Sequence, residues 1–289
     1  MKTVNKIVKP RTPHFVGDGF RVHNFIPSTP NMDMMEMDPF INFDYNSKFN
    51  FSPTDIPRGV GVHPHKGFET VTIAYQGQIE HGDSSGGGGV IAEGDVQWMT
   101  AGAGILHKEF HETEWSKNGG VFQMVQLWVN LPAKYKNTSP NYQSLKNEAI
   151  ARYNLDSDNG FVEVIAGEYQ GTKGSATTFS PIQMYNIKAK KGTEINFSFP
   201  AHYSTLLLVV EGEIKVNNGE LVPTDHVVLM NRDGEDFNVQ ISSNAIVLIL
   251  SGEPLKEPIA HHGPFVMNTR KELIEAFEDF QSGKFGELD

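Results

Sequence analysis

The feature that most constrains the fold is a succession of short apolar runs, each ended by a turn rich in glycine, proline or asparagine. Residues 71–75 (VTIAY) are rich in β-formers, and Gln76 and Gly77 turn the chain into residues 78–81 (QIEH), which predicts a hairpin. From residue 193 to residue 250, strand-like runs and turns follow one another throughout. With 28 glycines and 16 prolines, the chain is predicted to be all-β with frequent turns.

The same pattern indicates two domains. Residues 121–131 alternate well enough to form a long strand, whose inward side chains would wall a pocket. Residues 132–152 lack strand periodicity and are the best linker candidate, and strands resume beyond them, with a hairpin signal at residues 217–219 (NNG). We therefore expect one barrel in residues 1–135 and a second in residues 136–289.

One short α-helix is predicted close to the C-terminus. Thr269 and Glu272 have the spacing of a capping box, and Gly283 would end the helix. The apolar residues that recur between them at helical spacing are Leu273, Ala276, Phe277 and Phe280. We expect this apolar stripe to pack against a barrel.

Composition excludes several classes of function. Lys and Arg number 24 against 35 Asp and Glu, so the net charge of −11 argues against direct binding to nucleic acid or to anionic membranes. The absence of cysteine excludes disulfides and thiolate metal sites. No stretch is apolar for long enough to span a bilayer, and residues 1–11 lack the core of a secretory signal. We expect a soluble cytoplasmic protein, also nuclear in a eukaryote.

Two histidine-containing pairs flank the strand-rich region between residues 65 and 107. His63 and His65 share a face if the segment is extended, and Pro64 favours extended backbone at the residue before it. His107 and Glu109 repeat the i, i+2 spacing. Facing one another, the pairs would supply three imidazoles and one carboxylate, which suit a divalent first-row metal with coordination positions left open. The alternative is that these are ordinary surface or core side chains.

The sequence around both pairs resembles a known family. Residues 63–72 (HPHKGFETVT) and 94–109 (GDVQWMTAGAGILHKE) are similar to the two metal-site motifs of the pirin family of cupins. The resemblance covers nearly the whole chain and is weakest at residues 138–178. Further pirin-like segments are residues 16–20, 38–40, 252–255, 262–269 and 276–280.

The resemblance implies a bicupin fold, with two jelly-roll β-barrels in one chain. It implies metal ligands at His63, His65, His107 and Glu109, whereas general cupins use a glutamate at about the position of Glu69. Glu69 then becomes a candidate for orienting a ligand imidazole. The resemblance implies iron(II), although these donors also accept Mn, Co, Ni, Cu and Zn.

The second barrel lacks an equivalent set of ligands in the sequence. His202 stands alone near the position of the first motif, and residues 231–240 contain no histidine where the second motif would lie. His226 is isolated, and His261 and His262 lie beyond the barrel. Since a lone imidazole does not hold a catalytic metal, we expect the C-terminal barrel to carry none; the resemblance implies the same.

Two main functions follow from the resemblance. The first is quercetin 2,3-dioxygenase activity, in which a flavonol binds the metal through its 3-hydroxyl and 4-keto oxygens, Glu109 is the general base and carbon monoxide is released. The second is an iron- and redox-sensing regulator that acts through a protein partner, such as a transcription factor or a metabolic enzyme. A storage or sugar-binding cupin ranks last, because a four-ligand metal site would then serve no purpose.

Overall fold

The fold was analysed in a computed structural model that describes residues 1–28 and 32–289. The chain forms two compact units. The first unit contains Arg11–Asn147 and Leu255–Asp289, and the second contains Met1–Pro10 and Glu148–Pro254. Both terminal segments therefore belong to units other than those expected from a division at residue 135.

Strands are the main secondary structure of both units. The strands of the N-terminal half are β1 Val4–Val8, β2 His14–Val16, β3 Phe20–Ile26, β4 Phe40–Phe51, β5 Gly59–His65, β6 Phe68–Gln76, β7 Ile79–Asp83, β8 Gly88–Ile91, β9 Val96–Thr100, β10 Ile105–His111, β11 Gly120–Asn130 and β12 Asn141–Leu145. Those that follow are β13 Ala151–Asn154, β14 Gly160–Ala166, β15 Glu168–Tyr169, β16 Thr172–Lys173, β17 Ile182–Ala189, β18 Glu194–Ser198, β19 Ser204–Glu211, β20 Glu213–Val216, β21 Leu221–Pro223, β22 Val227–Met230, β23 Asp236–Ile241, β24 Ala245–Gly252, β25 Ala260–His262 and β26 Phe265–Met267. The helices are α1 Thr113–Asn118 and α2 Arg270–Gln281, and short 3₁₀ turns occupy Ala133–Tyr135, Asn147–Ala149 and Asp156–Asp158.

The first unit is a double-sheet jelly roll. Its seven-stranded sheet has the order β12-β9-β6-β11-β4-β3-β2, and its four-stranded sheet has the order β5-β10-β7-β8. The short pair β25-β26 and the helix α2 complete this unit. The alternating strand Gly120–Asn130 lies at the centre of the larger sheet, between β6 and β4, as its apolar pattern requires.

The second unit repeats the double-sheet plan. Its sheets have the orders β1-β22-β19-β24-β17-β14-β13 and β18-β23-β20-β21. Aliphatic and aromatic side chains from both sheets fill its interior, including Phe197, Leu207 and Val247. His202 is half-exposed beside Glu253, at 3.5 Å. The predicted all-β architecture of two jelly rolls is therefore confirmed.

Two local predictions have different outcomes. The hairpin at residues 217–219 is confirmed, because β20 and β21 pair antiparallel. The hairpin at Gln76 and Gly77 is wrong, because β6 lies in the seven-stranded sheet and β7 in the four-stranded sheet. This turn carries the chain between sheets, and Gly77 has a φ of 88° with no room for a Cβ beside the Phe122 ring.

The C-terminal helix is as predicted, and a second helix was not foreseen. Thr269 and Glu272 form a capping box at the start of α2, and Ala276 is buried in a cluster that includes Leu106 of β10. The shorter helix α1 is capped by Glu112, whose carboxylate accepts hydrogen bonds from two backbone amides. No helix among residues 1–28 and 32–289 has the length and apolar character needed to cross a lipid bilayer.

Candidate metal centre

The three predicted histidine ligands lie on neighbouring strands of the four-stranded sheet. Strands β5 and β10 run antiparallel, and their register places His63 directly opposite His107. His63 and His65 are two residues apart on one strand, so their side chains point to the same face. The ring centroids are 4.1 Å apart for His63 and His107, 4.7 Å for His65 and His107, and 4.9 Å for His63 and His65. One ring nitrogen from each residue lies within 4.8 Å of the other two, which is close enough to share a metal ion.

Each ring is oriented by a contact at its Nδ1 atom. The partners are the Gly61 carbonyl for His63 at 2.8 Å, the Pro264 carbonyl for His65 at 3.4 Å, and Nε2 of His81 for His107 at 3.1 Å. Nε2 is then the nitrogen left for a metal. Nε2 of His107 is buried and has no hydrogen-bond partner within the described part of the chain. A bound cation would satisfy this otherwise costly group.

Burial keeps the two inner imidazoles neutral. It lowers the pKa of His65 to about 3, and the neighbouring His63 adds to the shift. Burial also lowers the pKa of His107 well below its ordinary value of 6.5, with further contributions from His65 and His63. Neutral imidazole is the form that binds metals, so these residues fit a divalent first-row ion at neutral pH.

Glu109 lies beside the histidines as a buried carboxylate that is 3% exposed. It lines the same cavity as His63 and His65. Both of its carboxylate oxygens accept hydrogen bonds from Nε2 of Gln126, at 2.9 and 3.0 Å. Its oxygens are not part of the group of ligand atoms that lie within 4.8 Å of one another. The structure thus brings three of the four predicted ligands together and holds the fourth nearby through an amide.

The expectation for Glu69 is wrong. Its carboxylate accepts a hydrogen bond from Oγ1 of Thr100 at 2.8 Å, rather than orienting an imidazole. The β6–β11 register pairs Thr70, the next residue, with Trp128, which lines the cavity. Successive strand residues face opposite sides of a sheet, so Glu69 points away from the cavity.

Two polar side chains that contact the predicted ligands were not among the residues predicted from the sequence. His81 on β7 contacts His107, and its ring stacks on that of Tyr142 at 5.3 Å. Gln126 on β11 holds Glu109. The alternation of residues 121–131 predicts a pocket wall and is a signal that points to Gln126. Nothing local distinguishes His81 from a surface histidine.

A cavity of about 750 Å³ lies next to His63, His65 and Glu109. Its volume is in the range of small-molecule sites. The apolar part of its lining consists of Val16, Phe20, Val22, Val60, Met124 and Trp128. A polar part includes Asn24, Asn42 and Asp44, and Gly263 and Pro264 contribute backbone and ring from the C-terminal segment.

Comparison with protein families gives two separate matches, one in each half of the chain. Residues 19–129 match the family described as Pirin, and residues 184–286 match the pirin C-terminal cupin domain. A Pseudomonas aeruginosa protein, whose name assigns it provisionally to quercetin 2,3-dioxygenase, is 43% identical over 99% of both chains. Pirin-1 of Arabidopsis thaliana is 37% identical over 93% of this chain and 90% of its own.

Solved structures show the same architecture. A crystal structure of quercetin 2,3-dioxygenase from Acinetobacter baumannii matches with a TM-score of 0.93 and 47% identity, and it covers 100% of both chains. A nickel(II) complex of a bacterial pirin from Escherichia coli matches with a TM-score of 0.66, covering 86% of this chain and 100% of its own. At 20% identity the latter shows the fold alone.

Proposed function

The chain belongs to the pirin family of bicupins, and on that premise we propose that it is a metal-dependent dioxygenase of the quercetin 2,3-dioxygenase type. The observation that carries the proposal is the trio of imidazoles at His63, His65 and His107 beside a cavity of about 750 Å³. Three nitrogen donors leave positions for a carboxylate, for substrate oxygens and for dioxygen. The names of the Acinetobacter and Pseudomonas relatives support the same activity.

We assign His63, His65, His107 and Glu109 as the ligands and iron(II) as the metal. Iron follows from the family, and Mn, Co, Ni, Cu and Zn are the alternatives that these donors accept. When bound, the metal would polarise the 3-hydroxyl and 4-keto oxygens of a flavonol and provide redox chemistry towards dioxygen. Glu109 would supply the carboxylate ligand, and Gln126, which donates to its oxygens, would orient it.

The side chains around the site handle the proton and exclude water. Glu109 receives the proton of the 3-hydroxyl as general base, and Gln126 holds its carboxylate in place. Phe68 stacks on Trp128 at 4.3 Å, and Trp128 lies 5.2 Å from His65, which gives the substrate ring a dry apolar wall. The overall reaction consumes dioxygen, opens the flavonol heterocycle to an ester and releases carbon monoxide.

The test is anaerobic reconstitution with iron(II), followed by quercetin turnover and carbon monoxide measurement under oxygen. Wild type is compared with His63→Ala and Glu109→Ala, with His226→Ala as a control histidine in the second unit. We expect stoichiometric iron and turnover in wild type and in the control. The two site variants are expected to lose iron, activity or both.

Two results would contradict parts of the proposal. Stoichiometric iron without turnover would refute flavonol dioxygenase activity and favour the regulator that acts through a protein partner. Failure of the wild type to bind any of the six metals would contradict the metal site itself.

A further inference from the structure

A row of polar side chains crosses the seven-stranded sheet on its cavity side. The strand registers place Asp44 opposite Gln126 and Asn24 opposite Asp44. Directly paired residues of antiparallel strands share a face, and these three all line the cavity. Asn42, two residues before Asp44, lines it too. The row therefore leads away from Glu109, to which Gln126 donates.

Asp44 is the unusual member of this row. Its carboxylate oxygens accept hydrogen bonds from Nδ2 of Asn24 at 2.8 Å and from Nδ2 of Asn42 at 2.9 Å. Burial raises the pKa of Asp44, although these hydrogen bonds and His14 oppose the shift. A carboxylate has about four acceptor positions, so each oxygen keeps one for another donor. Burial of a carboxylate whose hydrogen bonds come from neutral amides costs stability, which is typical of groups retained for binding.

The amides fix the direction of the Asp44 carboxylate. Nδ2 of Asn24 also donates to Oδ1 of Asn42 at 3.2 Å and to the Ile26 carbonyl at 2.9 Å. Both asparagines are therefore locked before any ligand arrives. A rigid acceptor loses little conformational entropy when it binds a donor.

We propose that Asp44, held by Asn24 and Asn42, is a subsite that recognises hydroxyl groups on the part of a ligand remote from the metal centre. The inference rests on the proposed function for the metal-binding end of that ligand. Asp44 lies one strand beyond Gln126, a spacing of about 4.8 Å. Val22 and Met124 line the same cavity on the neighbouring strands. A polar row among apolar side chains suits a planar aromatic ring that carries hydroxyls.

The test compares two flavonols that share the chelating oxygens. Quercetin carries further ring hydroxyls, and 3-hydroxyflavone has none. Their Kd values are measured anaerobically on the iron-loaded protein by fluorescence titration, for wild type, Asp44→Ala and Ser47→Ala. Ser47 accepts or donates the 2.9 Å hydrogen bond with His23 that links β3 to β4 away from the cavity, so it controls for a lost cross-strand contact.

We expect wild type and Ser47→Ala to bind quercetin at least about tenfold more tightly than 3-hydroxyflavone, which is the ratio for a hydrogen bond to a charged acceptor. Asp44→Ala should bring the two Kd values to within about twofold. If Asp44→Ala does not fold, Asp44→Asn should reduce the preference in the same direction, because it removes the charge and half of the acceptor oxygens.

The subsite is refuted if wild type shows no preference, does not bind quercetin, or keeps its preference in both Asp44 variants. Turnover is measured on the same samples. A preference that depends on Asp44 without turnover would retain the subsite and remove the dioxygenase proposal. Turnover with an unchanged preference for quercetin in the Asp44 variants would retain the dioxygenase proposal and remove the subsite.

Discussion

Replacement of Glu69 by glutamine is expected to stabilise the protein above neutral pH. Burial raises the pKa of Glu69 to about 7 from its ordinary 4.5, against a hydrogen bond from Thr100 that opposes the shift. The folded state therefore binds more protons than the unfolded state between these two values, and stability falls as pH rises through this window. The difference corresponds to about 3 kcal/mol at pH 8.

Glutamine removes this cost because it stays neutral at every pH and still offers an oxygen to Thr100. The gain should be close to zero near pH 4.5 and several degrees in Tm at pH 8, at about 2–4 °C per kcal/mol. The assay is thermal unfolding of wild type and variant across this range, with metal content measured in parallel. The difference in Tm between wild type and variant at each pH reports the effect of Glu69, because the other titrating groups are the same in both proteins.

A matched control is Glu163→Gln in the second unit. Glu163 is also fully buried, but its carboxylate pairs with Arg152 at 3.0 Å and Lys188 at 3.1 Å. That variant should be destabilised at pH 8, because two cations lose their partner. A Tm difference for Glu69→Gln that does not change with pH would refute the reasoning, and loss of metal from that variant would contradict its position behind the sheet.

Three further perturbations test other contacts. Gln126→Ala should weaken metal affinity about 10–100-fold in chelator competition, because Glu109 loses its hydrogen-bond donor. The control Gln123→Ala, on the same strand, should leave metal affinity unchanged, and equal losses in both variants would contradict the role of Gln126. Lys136→Met should cost about 2–4 kcal/mol in urea unfolding, because its Nζ donates to three buried acceptors. Thr269→Ala should cost about 1 kcal/mol by loss of the capping box, and an unchanged Tm would show that the cap contributes nothing.

Local spacing was sufficient to predict part of the site. The i, i+2 relation of His63 and His65 holds in any extended segment, and the capping box of α2 needs only residues within one turn. The position of Glu69 was not accessible in this way. Trp128 lines the cavity, so the residue paired with Trp128 faces the cavity and its neighbour in the strand does not. The register that selects Thr70 rather than Glu69 is fixed by the pairing of β6 with β11, which lie far apart in sequence.

Local sequence pattern also could not predict that Met1–Pro10 belongs to the second unit and Leu255–Asp289 to the first. β1 (VNKIV) has polar residues at two of its five positions, and its partner is β22, with Val4 opposite Met230. Local sequence pattern does not indicate which sheet edge such a short segment joins. The division at residue 135 lies in the segment without strand periodicity, near the change of unit between Asn147 and Glu148. It did not include the association of the two terminal segments with the unit formed by the other half of the chain.

The contact between His65 and the Pro264 carbonyl shows why part of this site leaves no mark in composition or spacing. The two residues are 199 positions apart, and the contact is made by a backbone oxygen that every residue type possesses. Its placement depends instead on the neighbouring backbone, since the amide of Lys66 bonds the same carbonyl and the amide of Val266 bonds the carbonyl of Lys66. The segment that carries Pro264 thus pairs through its backbone with Lys66, the residue that follows the motif strand. The orientation of one predicted ligand therefore depends on a tertiary pairing, and a change that alters this backbone should affect the site even when every ligand is retained.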